Sequence, residues 1–114
     1  MELAPGEAIV RSWAANRTSS KARAQGGKLH LTDRRLIFRP HIFDRLLRGR
    51  EWEVALDRVV GVGIEPRSGN PLGGGLRNRL RIEDRDGHVQ LFVVNKLDDV
   101  VDEISRGTGT VARS

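Results

Sequence analysis

Cysteine is missing from this chain, and with it go disulfide staples, thiol nucleophiles and thiolate metal sites. That absence fits a reducing compartment. No apolar run approaches the roughly 20 residues that a membrane-spanning helix needs. The opening Met-Glu-Leu-Ala-Pro-Gly-Glu has no basic stretch followed by an apolar one, so no signal peptide is expected. The three histidines, His30, His41 and His88, lack the HxH or HxxxH spacing that sets two ligands on one metal. No serine lies in a G-x-S-x-G elbow, and no P-loop pattern occurs. The carboxylates mostly neighbour arginines, as in Asp84-Arg85-Asp86, where a solvated turn accounts for them. No enzyme is therefore expected, and nothing calls for a cofactor. Aromatics are only Trp13, Phe38, Phe43, Trp52 and Phe92. With Phe38 and Trp52 in core-type positions, too few remain for a base-stacking platform. No helix-turn-helix or zinc module is visible, which argues against nucleic acid as the partner.

Arginine is what the chain has in excess. Lys and Arg number 20 against 15 Asp and Glu, a net charge of +5, and only Lys21, Lys28 and Lys96 are lysines. Such a balance admits an anionic lipid surface, an acidic protein or nucleic acid, and selects none of them. At 114 residues there is room for one domain with a single modest core. The 13 glycines and scarce helical runs suit a small barrel with many turns.

The most legible stretch is Gly26-Gly27-Lys28-Leu29-His30-Leu31-Thr32-Asp33-Arg34-Arg35-Leu36-Ile37-Phe38-Arg39-Pro40. Leu29 and Leu31 alternate with polar residues, and after a Thr-Asp-Arg-Arg turn Leu36 and Phe38 do the same, with Arg35, Ile37 and Arg39 on the other face. Asp33 suits the turn because its carboxylate can accept backbone N–H groups. Pro40, with no N–H to donate, ends the ladder. The glycine pair suggests a bulge or bend. These residues resemble the central hairpin of the GRAM domain, a member of the pleckstrin-homology (PH)-like superfold, and the resemblance runs from Gly6 to Ile104. It implies a PH-like fold.

The rest of the chain supplies the other elements. Residues 7–15 read as a first strand in which Ile9 and Trp13 compete with Ala8, Val10 and Ala14 for the inner face, and residues 16–20 as a polar turn. Residues 51–56 read as a strand with Trp52, Val54 and Leu56 inward. Residues 59–65 follow with Val60, Val62 and Ile64 inward and Gly61 and Gly63 opposite. Residues 66–78, rich in glycine and proline, form the longest loop. Leu80 and Ile82 mark the next strand. Asp84-Arg85-Asp86-Gly87 predicts a hairpin turn, because Asp-Gly tolerates positive φ. Val89, Leu91 and Val93 read as the inner face of the last strand. Asn95 suits the cap of a helix starting at Lys96, with Leu97, Val100, Val101 and Ile104 as its apolar stripe and Gly107 as its stop. So short a helix must pack on something, most simply an open barrel end. The fold class is mainly β, a PH-like seven-stranded antiparallel barrel or sandwich capped by one C-terminal α-helix. An OB-fold is the rival, but its helix lies between the third and fourth strands. Residues 1–6 form an N-terminal segment, 7–106 the domain and 107–114 a disordered tail.

For binding, three stretches compete with blander readings. Ile42, Phe43, Leu46 and Leu47 share one side of a helical turn, beside Arg45, Arg48 and Arg50. They can form a membrane wedge whose arginines meet lipid phosphates, a partner-docking patch or a loop folded onto the barrel. Gly73-Gly74-Gly75 with Arg77, Arg79 and Arg81 can bind an anion, although a flexible loop with soluble flanks is the simpler reading. Through the PH resemblance, Arg11 followed by Lys21-Ala22-Arg23 is similar to a phosphoinositide-binding pattern, which gives Lys21 and Arg23 a role at phosphate; otherwise they are a solvated strand face. The reading is a non-catalytic binding module in the cytoplasm, at the inner face of a membrane where it meets anionic lipid headgroups. The alternative is a module for a protein partner or for self-assembly into a homo-oligomer.

Overall fold

The computed structural model describes residues 3–18, 25–41, 51–67 and 77–109. Seven strands precede one helix: β1 (Ile9–Thr18), β2 (Gln25–Thr32), β3 (Arg35–Pro40), β4 (Trp52–Ala55), β5 (Val59–Glu65), β6 (Arg79–Asp84), β7 (Val89–Val94) and α1 (Leu97–Thr108), with a 3₁₀ turn at Leu56–Arg58. They form one antiparallel sheet in the order β4-β3-β2-β1-β7-β6-β5. β1 serves two neighbours, pairing with β2 from Ile9 to Arg17 and with β7 from Ala15 to Thr18. The sheet curls strongly enough that Phe92 of β7 meets Phe38 of β3 at 5.5 Å and Trp52 of β4 at 5.6 Å between ring centroids. Leu29, Leu36, Phe38, Leu80, Phe92 and Ile104 are wholly buried in the resulting core.

The helix closes this curl. Val100, Val101 and Ile104 are buried and Leu97 packs against the core, as the apolar stripe predicts. α1 lies on β5, β6 and the 3₁₀ turn. Gly107 lets its last turn approach β2, because a Cβ there would stand 3.3 Å from Leu31 Cδ1. Two details differ from expectation. Asn95 does not cap the helix; Lys96 holds the N-cap position in the left-handed region, at φ 54° and ψ 52°, without a side-chain bond. The stop comes at Gly109, φ 72°, rather than at Gly107.

Three strand assignments also shift. β1 continues through the expected polar turn to Thr18, because β7 supplies a second pairing partner there. It buries Ala15 and half-buries Trp13, while Ile9 and Val10 stay exposed. In β5 a register irregularity between Val59 and Gly61 puts Val59 in the core and leaves Val60 41% exposed, reversing the expected start of that strand. In β7 the inner face is Phe92 and Val94, not Val89, Leu91 and Val93. Both faces of Val-Gln-Leu-Phe-Val-Val are apolar, so pattern alone leaves its register open. Pairing settles it, with Phe92 opposite Leu80 and Val94 opposite Ala15.

The hairpin at Gly26 and Gly27 keeps regular register, so no bulge forms there. Gly27 permits close approach instead: a Cβ would collide with the Arg39 carbonyl oxygen and come within 2.9 Å of Pro40 Cα and of the Phe38 ring. Gly87 at φ 84° gives the β6–β7 turn as predicted.

Candidate functional site

Lys21, Arg23, Ile42, Phe43, Arg45, Leu46, Leu47, Arg48 and Arg50 all lie outside the described residues, as does Gly73-Gly74-Gly75. The strands that carry these connections are described. Arg17 stands opposite Gln25, Gly27 opposite Pro40, and the His41 N–H donates to the Gly26 carbonyl at 3.0 Å. The β1–β2 and β3–β4 connections therefore leave the same end of this half of the sheet. On the outer face beside that end, Lys28 stands opposite Arg39. Like charges placed so oppose each other, and they raise the local positive potential. His30, two residue pairs further along, feels both. Burial first, then Lys28 and Arg39, holds its imidazole below the ordinary pKa. It is half-buried, with Nδ1 2.7 Å from Ser12 Oγ.

Around the corner a cleft of about 870 Å³ opens where β5 and β7 end and β6 and α1 begin. Ile64, Val94 and Leu97 give it an apolar base, and Arg67, Arg77 and Lys96 line it together with Asp98 and Asp99. Arg77 also lines a second depression of about 300 Å³, which it shares with Asn16, Gly26, His41 and Asn95. The two hollows thus meet at Arg77 and Val94 and lead toward the end from which the β1–β2 and β3–β4 connections leave. The Arg77 Nη2 donates to the Val94 carbonyl at 3.4 Å, which steadies the side chain over the cleft. Asn78 Oδ1 accepts the Arg67 N–H at 2.9 Å and braces the mouth of the β5–β6 connection. Lys96 is the one non-glycine residue with positive φ among those described. A left-handed lysine costs free energy, and residues held so cluster at functional sites.

The three arginines singled out in sequence separate here. Only Arg77 faces the cleft. Arg79 is buried, with Nη2 3.5 Å from the Pro66 carbonyl, and Arg81 is engaged by Glu65 at 3.6 Å and Glu83 at 2.9 Å. Sequence reasoning misses Arg67, which the pairing of β5 with β6 brings beside Arg77, and Lys96, which arrives only once β7 and α1 are in place.

The opposite end is closed. The Glu7 carboxylate, 1% exposed, accepts bonds from the Ala4 N–H, the Thr32 hydroxyl at 2.6 Å and Arg35 Nε and Nη2 at 2.9 Å each. The Arg35 bonds first, then Thr32 and Ala4, lower its pKa from 4.5 to about 2. Thr32 Oγ1 also accepts the N–H groups of Arg34 and Arg35, so Thr32 organises the turn expected of Asp33. Asp33 Oδ1 instead accepts the N–H of Ala8.

Asp84, Asp86 and His88 bring possible ligand atoms within 4.8 Å of one another. Their oxygens are already used, Asp84 Oδ1 by the Asp86 and His88 N–H groups and Asp86 Oδ2 by Arg58 at 2.8 Å. The cluster stabilises its turn.

No family model matches the chain, and no curated protein sequence does. Solved structures do. The hSac2 domain from the human phosphoinositide phosphatase Sac2 matches with a TM-score of 0.72 at 11% identity, over 98% of this chain and 80% of that one. The Vps36 N-terminal PH domain matches with a TM-score of 0.66 at 18% identity, over 95% and 83%. The linker-DH/PH domains of p115-RhoGEF match with a TM-score of 0.63 at 12% identity, over 93% of this chain and 30% of that one. At such identities the likeness is of fold alone. The fold is PH-like. No helix among the described residues is long and apolar enough to cross a membrane.

Proposed function

We propose that this chain is a GRAM-like binding module that attaches to membranes rich in anionic lipid and catalyses nothing. The observation that carries this reading is the lining of the open cleft by Arg67, Arg77 and Lys96. Guanidinium and ammonium groups recognise phosphate through charge-assisted bonds. The apolar base gives room for the carbon skeleton of a headgroup. Further support comes from the cation pair Lys28 and Arg39. Lys21, Arg23, Arg45, Arg48 and Arg50 belong to the two connections that leave beside that pair and add to the same field, with Ile42, Phe43, Leu46 and Leu47 as the wedge. In a cell the module would sit at the cytoplasmic face, as a peripheral adaptor.

Co-sedimentation with liposomes tests this, comparing neutral phosphatidylcholine with vesicles containing phosphatidylserine or phosphoinositide at low and physiological salt. Selective pelleting with anionic vesicles that fades as salt rises is the expected result, because salt screens exposed charge. No pelleting at low salt sinks the reading. A second reading, a protein-interaction or self-assembly module, is favoured by adjacent Ile9 and Val10, exposed by 41% and 54%. Binding through such an apolar patch would persist in salt.

A further inference from the structure

The cleft beside Arg77 holds charges of both signs. Arg67, Arg77 and Lys96 line it together with Asp98 and Asp99, which leaves one positive charge in excess. All five residues are exposed. Among the described residues, no ion pair joins any of these cations to either carboxylate. Nearby charges behave differently, since Arg81 is taken up by Glu65 and Glu83. The cleft therefore keeps both signs of charge open to solvent. Arg67 and Arg77 flank the β5–β6 connection, while the two aspartates lie in the first turn of α1 beside Lys96.

Each sign selects. A phosphodiester satisfies guanidinium and ammonium groups through charge-assisted bonds. Asp98 and Asp99 call for a cation, which a headgroup with an ammonium group supplies. The same carboxylates work against a headgroup with several phosphates, because they set like charge against the extra ones. A glycerol headgroup brings a phosphate and nothing for the aspartates. An ethanolamine headgroup brings the ammonium but leaves a cation without a partner. Serine brings a phosphodiester and a carboxylate for the three cations, and an ammonium for the two aspartates. Its single net negative charge balances the excess in the cleft.

We propose that the cleft selects phosphatidylserine among anionic lipids. Arg67, Arg77 and Lys96 meet its phosphate and carboxylate, and Asp98 and Asp99 meet its ammonium. This rests on the membrane reading above and narrows it. Exposed basic residues draw the module to any anionic surface, and the mixed cleft chooses the headgroup.

The test is co-sedimentation of the full chain at physiological salt. Phosphatidylcholine vesicles carry phosphatidylserine, phosphatidylglycerol or phosphatidylinositol 4-phosphate, matched in surface charge. Phosphatidylserine should bind about five-fold more tightly than either of the others, the scale of two exposed charge contacts. The deciding variant is Asp98→Asn with Asp99→Asn, its thermal midpoint followed to show that it folds. It makes the cleft more positive, so attraction by charge alone would strengthen on every anionic vesicle. Here the five-fold preference for phosphatidylserine over phosphatidylglycerol should disappear, and each single substitution should lose part of it. Equal binding of the wild type to those two lipids overturns the proposal and leaves the membrane reading standing. Tighter binding to the phosphoinositide does the same, as does a folded double variant that keeps the preference. No pelleting with any anionic vesicle, at low salt as well, overturns both.

Discussion

The two ends of this molecule treat charge in opposite ways. At the end held by Glu7, a carboxylate and a guanidinium are turned inward on each other, and Thr32 and Glu53 take up further bonding positions. At the cleft, Arg67, Arg77 and Lys96 stand together and no ion pair joins any of them to a described carboxylate, although Asp98 and Asp99 line the same hollow. One end uses its charges on itself, and the other leaves them for something outside. Stability and binding should therefore be separable by substitution.

The sharpest break should come from Arg35→Met. It leaves the buried Glu7 carboxylate without its cation, and removing one partner of a buried pair is far worse than removing both. Urea denaturation should show a fall in midpoint larger than that of Thr32→Val or of any cleft substitution, with Glu7→Gln combined with Arg35→Met recovering part of it. Acid acts on the same latch. Because the folded pKa of Glu7 lies near 2, below its ordinary 4.5, its contribution is complete above pH 4.5 and is lost as pH falls from there toward 2. Stability measured across that window should slope in the wild type and slope less in Glu7→Gln. Thr32→Val comes next. It keeps the shape, removes the hydroxyl that serves Glu7, Arg34 and Arg35, and should cost about 1–3 kcal/mol.

Substitutions in the cleft should sharpen the contrast from the other side. Arg67→Ala with Arg77→Ala should weaken binding to anionic vesicles about thirty-fold at low salt, given roughly 1 kcal/mol per basic residue near the surface. Stability should change by less than about 0.5 kcal/mol. A fall in stability of the size expected for Thr32→Val would show that the two ends are not independent. The smallest effect is expected of Lys96→Gly. Relief of a left-handed side chain is worth roughly 1–2 kcal/mol and the added freedom of glycine returns about half of it, so a net gain below about 1 kcal/mol should accompany weaker vesicle binding.

Much of the architecture can be read from sequence wherever one face of an element is apolar and the other polar. Leu29, Leu31, Leu36 and Phe38 set the hairpin, Leu80 and Ile82 the next strand, and Leu97 to Ile104 the helix. Legibility ends where both faces are apolar. Pattern alone turns β7 to the wrong face because Val89, Leu91 and Val93 alternate as well as Phe92 and Val94 do, and only the partners Leu80 and Ala15 decide between them. Ile37, fully buried on the face opposite the core, is another case. The site is legible in part. Arg77 belongs to a recognisable run of arginines, but nothing local separates it from Arg79 and Arg81, whose burial and ion pairs depend on β5. Arg67 meets it through the pairing of β5 with β6, and Lys96 only after β7 and α1 have folded back onto them.

That dependence on distant partners has a kinetic side. β1 takes β2 as a neighbour almost at once, but its other neighbour, β7, is reached through contacts such as Arg17 to Gln90, 73 residues apart. Closing so wide a loop comes late, since the entropy of closure must be met before the contact returns anything. During synthesis the first four strands emerge before β7 exists, with one flank of β1 unfilled. Stalling the nascent chain before Val89 would leave that flank open to whatever strand is nearest, so the interval between making β1 and making β7 is when this protein is most exposed to misassembly.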